Sequence, residues 1–432
     1  MPAGVPRQRV TQAAGRPALP VGASPLADPA FRTFLLVLFL NGLIAGPLSS
    51  FLPIYVSEAL GAGQSLTANL RTVSLAFMAI SALAGGQASD SFGTKLTFFL
   101  GILGTPAAAA IYLVDSIPAL YLLSAYSGVG LGLLSTGSQS YLINSTWLGR
   151  IGAATGIYFA GRTLGGAFGD PIGGAILQIS SFRVFGLTAL LAIVPVLAIL
   201  AIFLPGVSPA ARGSRGTLAA LAGFFQILVR GKVLALAVVQ LLRTTFWGAA
   251  SLALPFLIKS LTGSNLAVGW FGGASMAAGV VAVLVMGPVS DRIGRRKAVL
   301  AGVGAMIAGS VLLAAMVDAA AGLMVAGALA SIGAWTLSGQ VPPLVKEIER
   351  GGEAGRVMAM ASFSWALGTL VGAQLHGFVT ESSPRALFLI TTAILIAAMG
   401  AAAYLLSGRV MGSGPARLHA GTQGAGPRGG VD

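Results

Sequence analysis

Cysteine is absent from all 432 residues, and histidine occurs only twice. The first absence excludes disulfides, thiol catalysis and cysteine-ligated metals, and two histidines leave little from which to build a metal site. Charge is scarce as well. Only 9% of residues are Asp, Glu, Lys or Arg, where a soluble domain carries about 25%. A soluble chain of this length has too much surface to cover with so few charges. There is no GxxxxGK[ST] loop for nucleotide phosphates and no HExxH pair. The one GxGxxG string, from Gly424 to Gly429, sits in a polar tail with no strand before it. No cofactor and no metal is therefore expected, and no nucleophile–base constellation supports an enzyme.

What is present is apolar. The chain is 55% hydrophobic with a mean hydropathy of +0.87. Its 61 glycines are spread through the apolar runs, where small residues let membrane helices approach closely. Runs near 20 residues long, sufficient to cross a bilayer, fall at 33–57, 68–89, 96–114, 118–143, 151–178 and 184–204. Six more follow at 233–258, 266–289, 298–316, 320–345, 356–380 and 386–407. The pattern predicts an all-α integral membrane protein of twelve transmembrane helices in two six-helix bundles, residues 32–204 and 233–407. Residues 1–31 and 408–432 read as disordered cytoplasmic tails, and 205–232 as a cytoplasmic linker.

The formal charge is +14, and its distribution orients the chain. With the N-terminus inside, the cytoplasmic side receives Lys95, Arg150, Arg212, Arg215, Arg230, Lys232 and the cluster from Arg292 to Lys297. The opposite side receives only Arg183, Lys259 and Arg385. Positive residues concentrate on cytoplasmic loops. The expectation is a multi-pass protein of the plasma (inner) membrane with both termini cytoplasmic. The same asymmetry accounts for the basic charge without a nucleic-acid partner.

The two halves repeat. Gly86, Asp90 and Gly93 match Gly287, Asp291 and Gly294 at a constant offset, and Pro53, Gly61 and Gln139 match Pro255, Gly263 and Gln340 at nearly the same one. Parallel repeats of this kind are a transporter architecture with the substrate site between the halves. A glycine, an Asp four residues on, a glycine three further and then basic residues form a loop signature. It stands nearly complete as Gly287, Asp291, Arg292, Gly294, Arg295 and Arg296, and more weakly as Gly86, Asp90, Gly93 and Lys95. In these loops and over nearly the whole chain the sequence resembles the major facilitator superfamily. The resemblance implies that the two loops form a cytoplasmic latch centred on Asp90 and Asp291.

The fifth run carries Gly156, Gly165, Gly169, Gly173 and Gly174 with Pro171 inside it. This resembles the antiporter motif of the superfamily's exporters, with the proline one place late because Asp170 fills the expected site. Polar groups inside the bilayer are costly and mark cavities or partners. The candidates are Asn41, Gln139, Arg162, Asp170, Gln240, Arg243, Gln340, Gln374 and His376, with Trp247, Trp335 and Trp365 as aromatic walls. Asn41 and Arg243 match at an offset of about 202 and Asp170 and His376 at about 206, so each pair is expected to face across a central cavity. The first and fourth runs hold no carboxylate, and Tyr126 stands where proton-coupled exporters carry an arginine ahead of Gly130-Leu131-Gly132. Asp170 is left as the candidate proton carrier.

The resemblance implies a secondary transporter working by alternating access. The expected form is a monomeric antiporter that exports amphipathic or drug-like small molecules against protons. An organic-anion transporter using Arg162 and Arg243 is the alternative, and a non-transporting membrane receptor or scaffold is an alternative of another class.

Overall fold

The computed structural model describes residues 25–144, 151–206, 230–348 and 354–407. They form twelve long helices, and no strand occurs among the described residues. The first half comprises α1 (Pro29–Ala59), α2 (Gln64–Phe92), α3 (Thr94–Leu113), α4 (Ile117–Asn144), α5 (Ile151–Ile179) and α6 (Phe182–Phe203). The second comprises α7 (Gly231–Thr262), α8 (Asn265–Ile293), α9 (Arg295–Ala315), α10 (Ala320–Ile348), α11 (Ala354–Val379) and α12 (Pro384–Leu405). Nine of these helices are long and apolar enough to cross a membrane by length and composition alone. α2, α5 and α11 fall outside that set, and α5 and α11 hold Arg162, Asp170, Gln374 and His376.

The helices outrun the apolar stretches because polar residues cap them. The chain turns helical at Pro29 rather than at residue 33, since the Asp28 carboxylate accepts the Ala30 N–H at 2.8 Å and Pro29 fits the first turn. Ser181 and Ser383 cap α6 and α12 at corresponding places in the two halves. The expected tails and linker lie almost wholly outside the described residues.

Among the described residues four glycines have φ in the left-handed range, and they come in two pairs. Gly61 and Gly263 stand at +61° and +65°, and Gly93 and Gly294 at +91° and +89°. Each closes the same tight turn in its half, where a Cβ would be strained. The turns mark the two ends of the molecule, called here the Gly61 end and the Gly93 end.

α3, α6, α9 and α12 pack within their own halves. Leu122, Leu191, Ile202 and Val325 are among the large apolar side chains turned outward, as a lipid-facing surface requires. The halves meet along two seams, α5 on α8 and α2 on α11. At the Gly61 end Arg183 pairs with Asp115 at 3.1 Å and Arg385 with Asp318 at 3.3 Å, one bond in each half, while Lys259 pairs with Glu58 of the other half at 3.3 Å. All three basic residues assigned to that side by charge are therefore neutralised there.

Candidate functional site

The glycines of α5 determine how the seam is built. A Cβ on Gly165 or Gly169 would overlap the carbonyls of Phe39 and Leu43 on α1, and one on Gly173 would lie 2.5 Å from the Pro47 ring. Gly174 instead faces the other half, against the Asn265 carbonyl of α8 at 2.6 Å. Gly156 has open space around it. Pro171 lies against Gly273, which a Cβ would bring within 2.7 Å of its ring. The fifth helix thus packs backbone-close on α1 with one face and on α8 with another.

The second half repeats this register. Gly368 and Gly372 of α11 fit the carbonyls of Leu241 and Thr245 on α7, and Gly377 fits Ala68 of α2. The three correspond to Gly165, Gly169 and Gly174 at an offset of 203. That offset corrects one expectation. His376 corresponds to Gly173, and Asp170 to Ala373, so the two do not occupy matching sites.

Asp170 is fully buried in the α1–α5–α8 junction. Its Oδ2 accepts the Ser50 hydroxyl at 3.0 Å, and Oδ1 has no hydrogen-bond partner. Gly46 of α1, and Gly269 and Gly272 of α8, approach it closely. Among the described residues no cation pairs with it.

His376 is also fully buried and bridges the second seam. Its Nε2 lies 3.2 Å from Gln64 Oε1 and its Nδ1 2.7 Å from Thr380 Oγ1. Gln64 Nε2 donates to the Pro53 carbonyl at 3.2 Å, so Gln64 Oε1 is the acceptor and the histidine carries its proton on Nε2. Gln374 crosses the same seam, donating to Thr72 Oγ1 at 2.6 Å and to Asn69 Oδ1 at 3.2 Å. Arg71 is half-buried on α2, and its Nε finds no acceptor.

Asn41 and Arg243 do occupy matching places, but they do not face each other. Asn41 Oδ1 accepts the Thr105 hydroxyl of α3 at 2.9 Å. The buried Arg243 donates Nε to Gln240 Oε1, and Nη1 to the Ala334 carbonyl and Ser338 hydroxyl of α10 at 3.3 and 3.2 Å. Each ties its own half together. A carbonyl and neutral side chains, not a carboxylate, solvate the guanidinium.

Arg162 differs. It is half-exposed on α5 and makes no hydrogen bond or ion pair with a described residue. Its neighbour in sequence, Thr163, lines a small cleft between α5, α8 and α10 together with Phe159, Ala160, Gly279, Val280, Val283 and Trp335. The Trp335 indole lies across Gly279, where a Cβ would overlap the ring. Gln139 donates to Ser135 of its own helix at 3.2 Å. Gln340 is buried with Oε1 unpartnered. Trp247 packs on the apolar core of its half, and Trp365 is half-buried, its carbonyl accepting the Thr369 hydroxyl at 2.8 Å.

In the loops of the Gly93 end, Gly93 and Gly294 make the turns, and Lys95 donates to the Ala201 carbonyl at 2.8 Å. Arg292 and Arg296 are exposed and Arg295 half-exposed. The side chains of Asp90 and Asp291, and the surroundings of Gly86 and Gly287, lie outside what the structure describes. Sequence reasoning missed Ser50, Gln64, Gln178 and Glu381. The last two follow the glycine register at the same offset of 203, and that signal was available.

Two six-helix halves with parallel repeats, packed along two seams and enclosing intramembrane polar groups, define a membrane transporter of the two-bundle class. The family model for the Major Facilitator Superfamily matches residues 34–241 and 236–422, and the chain belongs to that superfamily of solute transporters. Among curated proteins it is similar to the quinolone resistance protein NorB of Staphylococcus aureus, strain MRSA252, with 30% identity over 133 residues. NorB of strain JH9 gives 29% over the same length. These matches span only 29% of either chain. Among solved structures, a POT family transporter in complex with 5-aminolevulinic acid superposes with a TM-score of 0.73 at 14% identity, over 87% of this chain and 96% of that one. A variant of the nucleoside transporter NupG gives 0.72 at 14%, over 88% and 100%. The peptide transporter POT with sulfate gives 0.71 at 17%, over 88% and 95%.

Proposed function

We propose that this chain is a secondary active exporter of amphipathic, drug-like compounds, working by alternating access and driven by protons moving the opposite way. The observation that carries the reading is Asp170, a buried carboxyl group in the seam that must part when the Gly61 end opens. A neutral acid fits that seam, with the Ser50 hydroxyl on one oxygen and no cation paired with it among the described residues. A carboxylate there would be a buried charge without a partner, which is costly. Parting α5 from α8 exposes the group to water. Binding and release of a proton at Asp170 is thereby linked to closing and opening of the seam.

Two further observations support export of apolar compounds. The small cleft between α5, α8 and α10 is lined mainly by aromatic and aliphatic side chains, and the partial match to NorB is to a quinolone resistance protein. The charge asymmetry of the loops supports a cytoplasmic Gly93 end in a bacterial plasma membrane. The seams closed at the Gly61 end then correspond to a state closed to the outside. The functional unit is a monomer.

Arg162 favours a second reading, an organic-anion transporter, because it is half-exposed with no bond to a described residue, and arginine suits carboxylates. The test is flux in proteoliposomes. With an imposed pH gradient, uptake of a fluorescent lipophilic cation that collapses when the gradient is dissipated supports proton-coupled drug export. Uptake of organic anions alone supports the second reading, and no flux of either class supports a receptor or scaffold.

A further inference from the structure

Two side chains at the Gly61 end close the seams in a way the transport reading does not use. Gln178, in the last turn of α5, turns its Oε1 to the start of α8. It accepts from the N–H groups of Asn265 and Leu266 at 3.1 and 3.4 Å and from the Ser264 hydroxyl at 3.4 Å. Glu381, in the turn after α11, does the same for α2. Its Oε1 accepts the Gln64 N–H at 2.5 Å. Both its carboxylate oxygens lie over Gly63, where a Cβ would stand 3.3 and 3.4 Å from them.

A helix start leaves four N–H groups without partners in the helix. The residue before α2 is Gly63, which has no side chain to supply one, and Ser264 before α8 serves only Ala267. The missing acceptors come from the other half. Gln178 and Glu381 are 203 residues apart, the offset that also relates Gly174 to Gly377, and the helices they cap are related by 201, as Gly93 is to Gly294. One device is thus built twice, once across each seam. One copy is an amide and the other a carboxylate, which the positive end of a helix favours.

Every one of these bonds joins the two halves, so every one must break when the Gly61 end opens. We infer that Gln178 and Glu381 are positioning residues of the transport cycle, cross-half helix caps that set the balance between the closed and open Gly61 end. The inference rests on alternating access but on no particular substrate or coupling ion.

The absence of native cysteine makes the test direct. Spin labels on cysteines introduced at Ile179 and Leu261, both exposed at that end and in different halves, report the separation of the halves in nanodiscs. Gln178→Ala and Glu381→Ala are each expected to shift the closed-to-open ratio about fivefold toward the longer distance, the usual effect of losing one cap. The double variant is expected to shift it by about twenty-fivefold if the two act independently. Glu381→Gln keeps the acceptor oxygen and retains the wild-type distribution. A folded double variant with the wild-type distances, even one of lowered melting temperature, overturns the inference. If it does not fold, single variants with wild-type distances overturn it equally. A double variant that opens while the wild type moves no drug-like compound leaves the caps standing and removes the export reading alone.

Discussion

The Asp170 carboxylate lies directly over Gly272, so close that a Cβ on that glycine would overlap Oδ2 and stand 3.0 Å from Cγ. The seam between the halves is therefore shaped around this acid. Gly272→Ala forces the carboxyl or the helices to move, and overpacking of this kind costs about 1–3 kcal/mol. The expected outcome is a lower melting temperature and greater accessibility of the seam to thiol reagents at a cysteine introduced in α8. Unchanged accessibility would mean that the seam accommodates the methyl group elsewhere.

The two arginines separate by role. Arg243 bonds to Gln240, Ala334 and Ser338, and Arg243→Ala leaves the buried Gln240 Oε1 without that partner, while the Ala334 carbonyl keeps the Ser338 hydroxyl. Hydrogen bonds to charged groups are worth about 1.5–3 kcal/mol each, so a clear fall in melting temperature is expected, with ligand selectivity unchanged. Arg162 touches no such partner. Arg162→Ala is expected to leave the melting temperature unchanged and to alter which ligands raise it. A panel of lipophilic cations and organic anions, read by thermal shift, checks both at once.

Asn41→Ala removes the acceptor of the Thr105 hydroxyl and is expected to cost about 1–2 kcal/mol. Thr105→Val together with Asn41→Leu removes both partners and restores most of that loss. Thermal unfolding of the three variants in detergent measures it.

Much of the fold was legible because its causes lie in composition and spacing. Twelve apolar runs became twelve helices, and the sequence matches Gly61–Gly263 and Gly93–Gly294 became paired turns of the same conformation. The three basic residues assigned to the sparse side, Arg183, Lys259 and Arg385, stand together at the Gly61 end, each beside a carboxylate. The pairing across the centre was less legible. Corresponding positions differ by 202 between α1 and α7, by 201 between α2 and α8 and by 203 between α5 and α11, so no single offset carries through. Aligning Asp170 with His376 at 206 placed them nearly one turn out of register. Periodicity also fixes only a helix face, so it did not show that Asn41 and Arg243 turn to helices of their own halves. Gln178 is the last residue of its apolar run and Glu381 lies just past its own, at helix ends where a polar side chain is ordinary and carries little signal.

Asp170→Asn tests the central claim most directly, because it preserves shape and the Ser50 contact while removing the ionisable proton. The measurement is flux of a lipophilic cation in proteoliposomes with and without a pH gradient. The account predicts loss of gradient-driven accumulation by about tenfold or more, equivalent to at least about 1.4 kcal/mol of coupling, with exchange of substrate across the membrane retained. Full gradient-driven accumulation in the Asp170→Asn protein would contradict it.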